Sequence, residues 1–191
     1  SINRYISAVS KVLKFSQEMG LLSQDWTVPR FKRFKEAEDA QERNAYSAQD
    51  IKDMVTHARD NLMHDDLADI ILFAALSGIR QGRILALKAD DIDFENNMIR
   101  VTKPKNKNVP ARYCGLHHAL KDMLVRRCNE GRTNLFGDDW VTTSDEPRAD
   151  KVRNAFNKCK RFIDKDKPAY TFHCLRHTYG TLMIQSGVNI K

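Results

Sequence analysis

Apolar residues recur at helical spacing in several separate blocks of this chain, and the period changes once, near the middle. Ile6, Val9, Leu13 and, less regularly, Met19 mark one such block over residues 2–20, with Gly20 where a helix would end. A single amphipathic helix cannot bury its stripe alone, so this block reads as the end of a helical domain that precedes the main one. Ser47-Ala-Gln-Asp50 has the Ser-x-x-acid form of a capping box, and Ile51, Met54, Val55 and Ala58 then share one face. Leu67–Leu76 is apolar enough for a buried helix, which Ser77-Gly78 breaks; Ile84–Leu87 resumes the helical pattern as far as the polar Asp90–Asp93.

Beyond that point the period shortens. Met98–Val101 and Val109–Arg112 are extended runs flanking the lysine-rich turn Thr102–Asn108, which predicts a β-hairpin. Pro104 and Pro110 place it at a sheet edge. Helical patterning returns at Leu116–Cys128 and Val152–Ile163, with a short strand expected at Trp140–Thr143. The segment Tyr170–Lys191 starts with Thr171 as an N-cap candidate and runs helical to Gly187. No internal repeat interrupts the pattern. The expectation is an α+β domain, mainly helical, with a small antiparallel β-sheet.

The boundaries follow from composition. Residues 1–27 read as the end of the N-terminal helical domain, 28–46 as a linker, and 47–191 as the main domain. The linker holds the charge-dense run Arg30–Asn44, which is either a solvated connector or a basic strap (Arg30, Lys32, Arg33, Lys35) against a phosphate backbone.

Charge changes the picture more than composition does. Lys and Arg outnumber Asp and Glu by 32 to 25, and the net charge of +7 puts a polyanionic partner first. The four cysteines (Cys114, Cys128, Cys159, Cys174) form no C-x-x-C pair, which argues against a zinc knuckle or a disulfide framework and favours a reducing compartment. No apolar run approaches the roughly 20 residues of a membrane-spanning helix. The N-terminus lacks the apolar core of a signal peptide. A soluble, cytoplasmic protein is expected.

Three segments concentrate cations and hydrogen-bond donors with few carboxylates. They are Ser77-Gly-Ile-Arg80 after a helix break, the lysines Lys103, Lys105 and Lys107 at the hairpin tip, and His173-Cys-Leu-Arg176-His177. In the last, positions 173, 176 and 177 share a helical face. Arginine forks fit the non-bridging oxygens of a phosphodiester. A histidine can donate a hydrogen bond or shuttle a proton, and a hairpin lysine can protonate a leaving oxygen. A zinc reading of His173 and His177 fails on its own terms, because Cys174 stands where H-E-x-x-H needs its glutamate. Cys114-x-x-His117-His118 is read as ordinary surface and core.

Taken in order, these segments resemble the tyrosine recombinase (phage integrase) family. LSGIRQGRILALKADDID (Leu76–Asp93) is similar to the family's first arginine box, IRVTKPKNKNVPA (Ile99–Ala111) to its lysine-bearing hairpin, and TFHCLRHTYGTLMIQSGVNIK to its H-x-L-R-H-T box. SINRYISAVSKVLKFSQEMGLL is similar to the last helix of the family's core-binding domain. The resemblance assigns Arg80, Lys103, His173 and Arg176 as catalytic residues, with His177 a structural neighbour. It implies a site-specific DNA recombinase in which a tyrosine attacks the scissile phosphate, forms a 3′-phosphotyrosyl link and frees a 5′-hydroxyl, without ATP, cofactor or essential metal. The implied partner is double-stranded DNA, bound by a homotetramer on paired sites.

Several positions depart from the family's pattern. Its nucleophile should lie beyond Lys191, and Tyr5, Tyr46, Tyr113, Tyr170 and Tyr179 are read as structural. Arg83 stands where an acidic residue commonly supports the site, and the hairpin is one residue short, which leaves Lys105 as a second candidate for the general acid. Two other readings stay open: a type IB topoisomerase-like enzyme, and an integrase-derived regulator that binds DNA without cleaving it.

Overall fold

The computed structural model of the protein describes residues 2–23, 25–32, 44–101, 111–140, 147–163 and 170–187. The chain divides into two compact units, residues 1–41 and 42–191.

The first unit is built on α1 (Ile2–Glu18). Its end is closed by paired backbone bonds, from the Gly20 N–H to the Gln17 carbonyl and from the Leu21 N–H to that of Ser16. The Gln17 side chain then holds the following loop by donating to the carbonyl of Trp26 at 2.9 Å. Of the expected apolar stripe, Ile6 and Leu13 are half-buried, whereas Val9 and Met19 are exposed.

The second unit surrounds α3 (Asp65–Ser77), whose Leu67, Ala68, Ile70, Ile71, Phe73, Ala74 and Ala75 are all buried. A helix apolar on every side must be covered on every side, and α2 (Ala48–Thr56), α6 (Arg148–Lys160) and α7 (Cys174–Gln185) pack against it. The capping box of α2 is present in both directions: the Asp50 N–H donates to Ser47 Oγ at 3.0 Å and the Ser47 N–H to Asp50 Oδ2 at 2.8 Å. Across the core the rings of Phe73 and Phe136 lie 4.7 Å apart, and the ring of Phe156 meets both Tyr46 and Phe172 edge-on. The Tyr46 N–H donates to Thr178 Oγ1 at 2.8 Å, joining the start of this unit to α7.

A polar knot lies beside this apolar core. Arg127 on α5 (Lys121–Asn129) is fully buried, and its guanidinium reaches Asp69 at 3.0 Å and Asp66, Asp139 and the Leu135 carbonyl at 2.8 Å each. Asp69, also fully buried, further accepts from Arg59 at 3.0 Å and from Arg126. Each charge therefore has several partners, the condition under which burial of an ion pair is tolerated.

The sheet has three antiparallel strands in the order β1 (Ile92–Asp93), β2 (Met98–Val101), β3 (Arg112–Gly115). Ile99, the buried residue of β2, faces Ile92 on one side and Cys114 on the other.

The structure corrects four local expectations. The helix foreseen to resume through Leu87 is only α4 (Gln81–Ile84). It stops because the Leu87 carbonyl accepts from the Leu135 N–H at 2.7 Å, and because Gly137 lies so close beneath the Leu85 carbonyl that a Cβ there would approach it to 2.2 Å. The return strand pairing with β2 is Arg112–Gly115, later than foreseen; residues 102–110 lie outside the described residues. Trp140 ends a short 3₁₀ turn rather than opening a strand, and residues 141–143 are also outside the described set. His173, not Thr171, precedes α7, because the Thr171 carbonyl already accepts from the Cys174 N–H at 2.9 Å in a preceding turn.

All four cysteines are free. Among the described residues no helix is long and apolar enough to cross a membrane.

Candidate active site

The break after α3 sets the first side chain of the site. Gly78 adopts a left-handed conformation (φ 62°) that ends the helix, and the next residue, Ile79, is buried. Arg80 then takes an extended conformation as the residue before α4, its carbonyl accepting from the N–H groups of Arg83 and Ile84 at 2.8 and 3.1 Å. With its main chain so held, the Arg80 side chain stays exposed and faces the start of α7.

The first turn of α7 brings the other two. His173 and Arg176 are both exposed, three residues apart on one face, while Phe172, Cys174 and Leu175 between and before them are buried. Arg176 is anchored through Nη1, which donates to the carbonyl of Gly78. Arg80, His173 and Arg176 line one small cavity of about 50 Å³, floored by Ala74, Ile79 and Phe172, with Gln81 at its side. That volume suits a compact group of a few polar atoms and not a nucleoside.

Among the described residues no carboxylate lines this cavity. Partial desolvation, then the neighbouring His177 and the guanidiniums of Arg176 and Arg80, hold the His173 imidazole below the usual histidine value. This favours its neutral form, in which one ring nitrogen donates and the other accepts. Its ring meets His177 edge-on at 5.0 Å. The positive end of the α7 dipole adds to the two guanidinium charges. Cations and donors arranged around a space of this size have the chemistry to hold a compact anion such as a phosphoryl group.

The structure thus brings together three of the four residues assigned from the sequence. The fourth, Lys103, lies outside the described residues, as do Lys105 and Lys107. Gln81 was not foreseen: its Nε2 donates to the Ala149 carbonyl of α6 at 2.8 Å, tying the cavity wall to a third helix. Its place next to Arg80 was the available signal. Of the remaining histidines, His117 accepts from the Ala119 N–H through Nδ1 at 3.2 Å and stacks on His118. Among the described residues no group of three or more His, Cys, Asp or Glu side chains is placed to hold a metal ion.

The tyrosines occupy varied positions. Tyr46 is buried against Phe156 and Tyr170. Tyr5 and Tyr113 are exposed on α1 and β3. The Tyr179 ring packs beneath Gly78, and burial, then Cys114, raises its phenol above the usual range.

A family model described as the phage integrase family matches residues 44–191. Curated relatives include the tyrosine recombinase XerA of Saccharolobus solfataricus, 28% identical over 190 residues, covering 100% of this chain and 56% of that protein. The tyrosine recombinase XerC-like protein of Caldanaerobacter subterraneus subsp. tengcongensis is 27% identical over 158 residues, covering 65% of this chain and 40% of that protein. The chain therefore spans about half the length of these relatives. Among solved structures, the Tn1549 transposon integrase in complex with circular intermediate DNA superposes with a TM-score of 0.66 at 16% identity, covering 98% of this chain and 67% of that one. The lambda integrase (residues 75–356) bound to DNA gives 0.61 at 17% identity, over 94% and 63%. At these identities the likeness is one of fold, a mainly helical domain with a small antiparallel sheet.

Proposed function

Because the chain belongs to the phage integrase family, we propose that it is the catalytic part of a site-specific DNA recombinase that cuts and rejoins duplex DNA through a 3′-phosphotyrosyl intermediate. Residues 1–27 are read as the end of a core-binding domain, 28–46 as a linker and 47–191 as the catalytic domain. One observation carries the reading: Arg80 and Arg176, from segments far apart in sequence, converge with His173 on one phosphate-sized cavity that, among the described residues, no carboxylate lines.

In this reaction Arg80 and Arg176 hold the two non-bridging oxygens of the scissile phosphate. Their charges stabilise the pentacoordinate transition state, whose negative charge is greater than that of the starting diester. The tyrosine oxygen attacks phosphorus as its phenolic proton passes to the accepting nitrogen of His173, the bond to the 5′ oxygen breaks, and Lys103 gives that oxygen its proton. Neutral His173 donates to a phosphate oxygen and can pass a proton. The reverse attack by a 5′-hydroxyl of another strand releases the tyrosine, so the ester itself conserves the bond energy. None of the five tyrosines in these 191 residues is assigned as nucleophile. Tyr46 is buried, Tyr179 packs under Gly78, and neither Tyr113 nor Tyr170 is among the described residues that line the cavity. The nucleophile is placed outside this sequence. The working form is read as a homotetramer on paired DNA sites in a cytoplasmic setting.

The test uses the full open reading frame and a suicide DNA substrate whose cleaved strand cannot be religated. A covalent protein–DNA adduct is expected, and Arg176→Ala or Arg80→Ala should abolish it while the protein still binds DNA. Binding without any adduct from the unaltered protein would leave a non-cleaving regulator. Relaxation of supercoiled DNA without joining of two partner sites would instead mark a topoisomerase-like enzyme.

A further inference from the structure

A second cavity, of about 240 Å³, opens at the other end of α4, between the turn after it and the sheet. Three cations line it: Arg83, Lys88 and Arg100. The carboxylate in its wall is Asp91, which is buried and already engaged, accepting from Arg100 Nε at 3.0 Å through Oδ1 and from the Lys88 N–H at 3.2 Å through Oδ2. Asn134, also in the wall, is turned toward Asp138, to which its Nδ2 donates at 3.1 Å.

Charge around this space is thus unbalanced. Arg100 spends one of its donors on Asp91, and its remaining N–H groups are left for something else. Arg83 is half-buried and has no ion-pair partner among the described residues. A guanidinium held partly out of water without a counter-charge is costly, and an anion seated in the cavity would remove that cost.

The two ends of α4 supply the connection to the first site. Arg80 precedes α4 and Arg83 lies within it, three positions apart, so a single helical turn of backbone joins the two cavities. Arg80 faces the smaller cavity and Arg83 the larger. We propose that Arg83, Lys88 and Arg100 form a second anion subsite, which takes a neighbouring backbone phosphate of the DNA whose scissile phosphate occupies the Arg80–His173–Arg176 cavity. This rests on the DNA reading above and adds a positioning role, by which the flanking phosphate fixes the register of the strand.

Duplex binding by the chain, followed by fluorescence anisotropy across a salt series, tests the assignment. A phosphate contact contributes about 0.9 to the slope of log affinity against log salt. Arg83→Gln is expected to weaken binding severalfold and to lower that slope by about 1. Arg83→Lys should keep most of the slope, because it keeps the charge, and thermal melts followed by circular dichroism show whether either variant has lost its fold. If Arg83→Gln is folded and binds with the unaltered slope while Arg176→Ala weakens binding, the second subsite is wrong and the DNA reading stands. If the unaltered chain fails to bind duplex DNA at low salt, both are wrong. A thermal shift with inorganic phosphate that Arg83→Gln removes, together with an unchanged DNA slope, would make the cavity a site for free phosphate and overturn the DNA assignment.

Discussion

Arg176 is tied to Gly78: the guanidinium donates through Nη1 to the carbonyl of a residue 98 positions earlier. The same glycine terminates α3 and leads within two residues to Arg80, so one backbone group sets both arginines.

The glycine should therefore resist substitution. At φ 62° a side chain costs about 1–2 kcal/mol. A Cβ at this point would also approach Tyr179 Cδ1 to 2.4 Å and displace the ring. Gly78→Ala is expected to lower stability by more than the backbone cost alone and to weaken DNA binding, since the anchor of Arg176 shifts. Urea denaturation and anisotropy check the two parts. A loss no larger than the backbone cost would show that the ring moves aside freely, and an unchanged midpoint would contradict both parts.

Tyr179 serves by its ring. Tyr179→Phe should leave stability within about 0.5 kcal/mol, because the ring contact with Gly78 stays and only the hydroxyl is removed. In the full-length protein it should also leave adduct formation intact. Loss of the adduct in a folded Tyr179→Phe protein would make this residue the nucleophile and contradict the role assigned to it.

His173 predicts a pH dependence with a definite sign. Its folded-state affinity for protons lies below that of an ordinary histidine, first through burial and then through His177, Arg176 and Arg80. The unfolded chain thus takes up this proton first as pH falls, near 6.5. The stability that neutral His173 contributes is present above that value and is lost as pH drops through the lower folded one. A proton NMR titration, assigned with His173→Gln, should give a midpoint below 6.5 that rises in Arg176→Ala. A midpoint at or above the ordinary value would contradict the crowding of positive charge described for this site.

Arg127 is expected to be worth far more to the fold than to DNA binding. Arg127→Met leaves Asp66, Asp69 and Asp139 with one partner fewer each, and breaking a buried ion network from one side costs about 3–5 kcal/mol. The denaturation midpoint should fall sharply while the folded fraction binds DNA normally, because Arg127 lines neither cavity. A loss below about 1 kcal/mol would show that Arg59 and Arg126 suffice for Asp69.

Local chemistry made some of this legible in the sequence. The capping box at Ser47, the buried run ending at Gly78 and the shared face of His173 and Arg176 all depend on residues a few positions apart, where period and spacing carry the information. The α4 boundary does not. Its end is set by Leu135 and Gly137, some fifty residues downstream, through a backbone bond and a close approach that no local pattern records. Gln81 was hidden for a similar reason, since its partner is a main-chain carbonyl on α6. Arg127 looked like one more charged residue in an amphipathic helix, because only the fold gathers its three aspartates.

The bracing of α4 gives the site a built-in gauge. With the Leu87 carbonyl pinned to Leu135 and the Leu85 carbonyl pressed against Gly137, the short turn has little freedom to stretch. The backbone that carries Arg80 and Arg83 is thereby braced from one side. On the two-subsite reading, a polymer that carries negative charge at regular steps would satisfy both at once, whereas an isolated anion would satisfy only one.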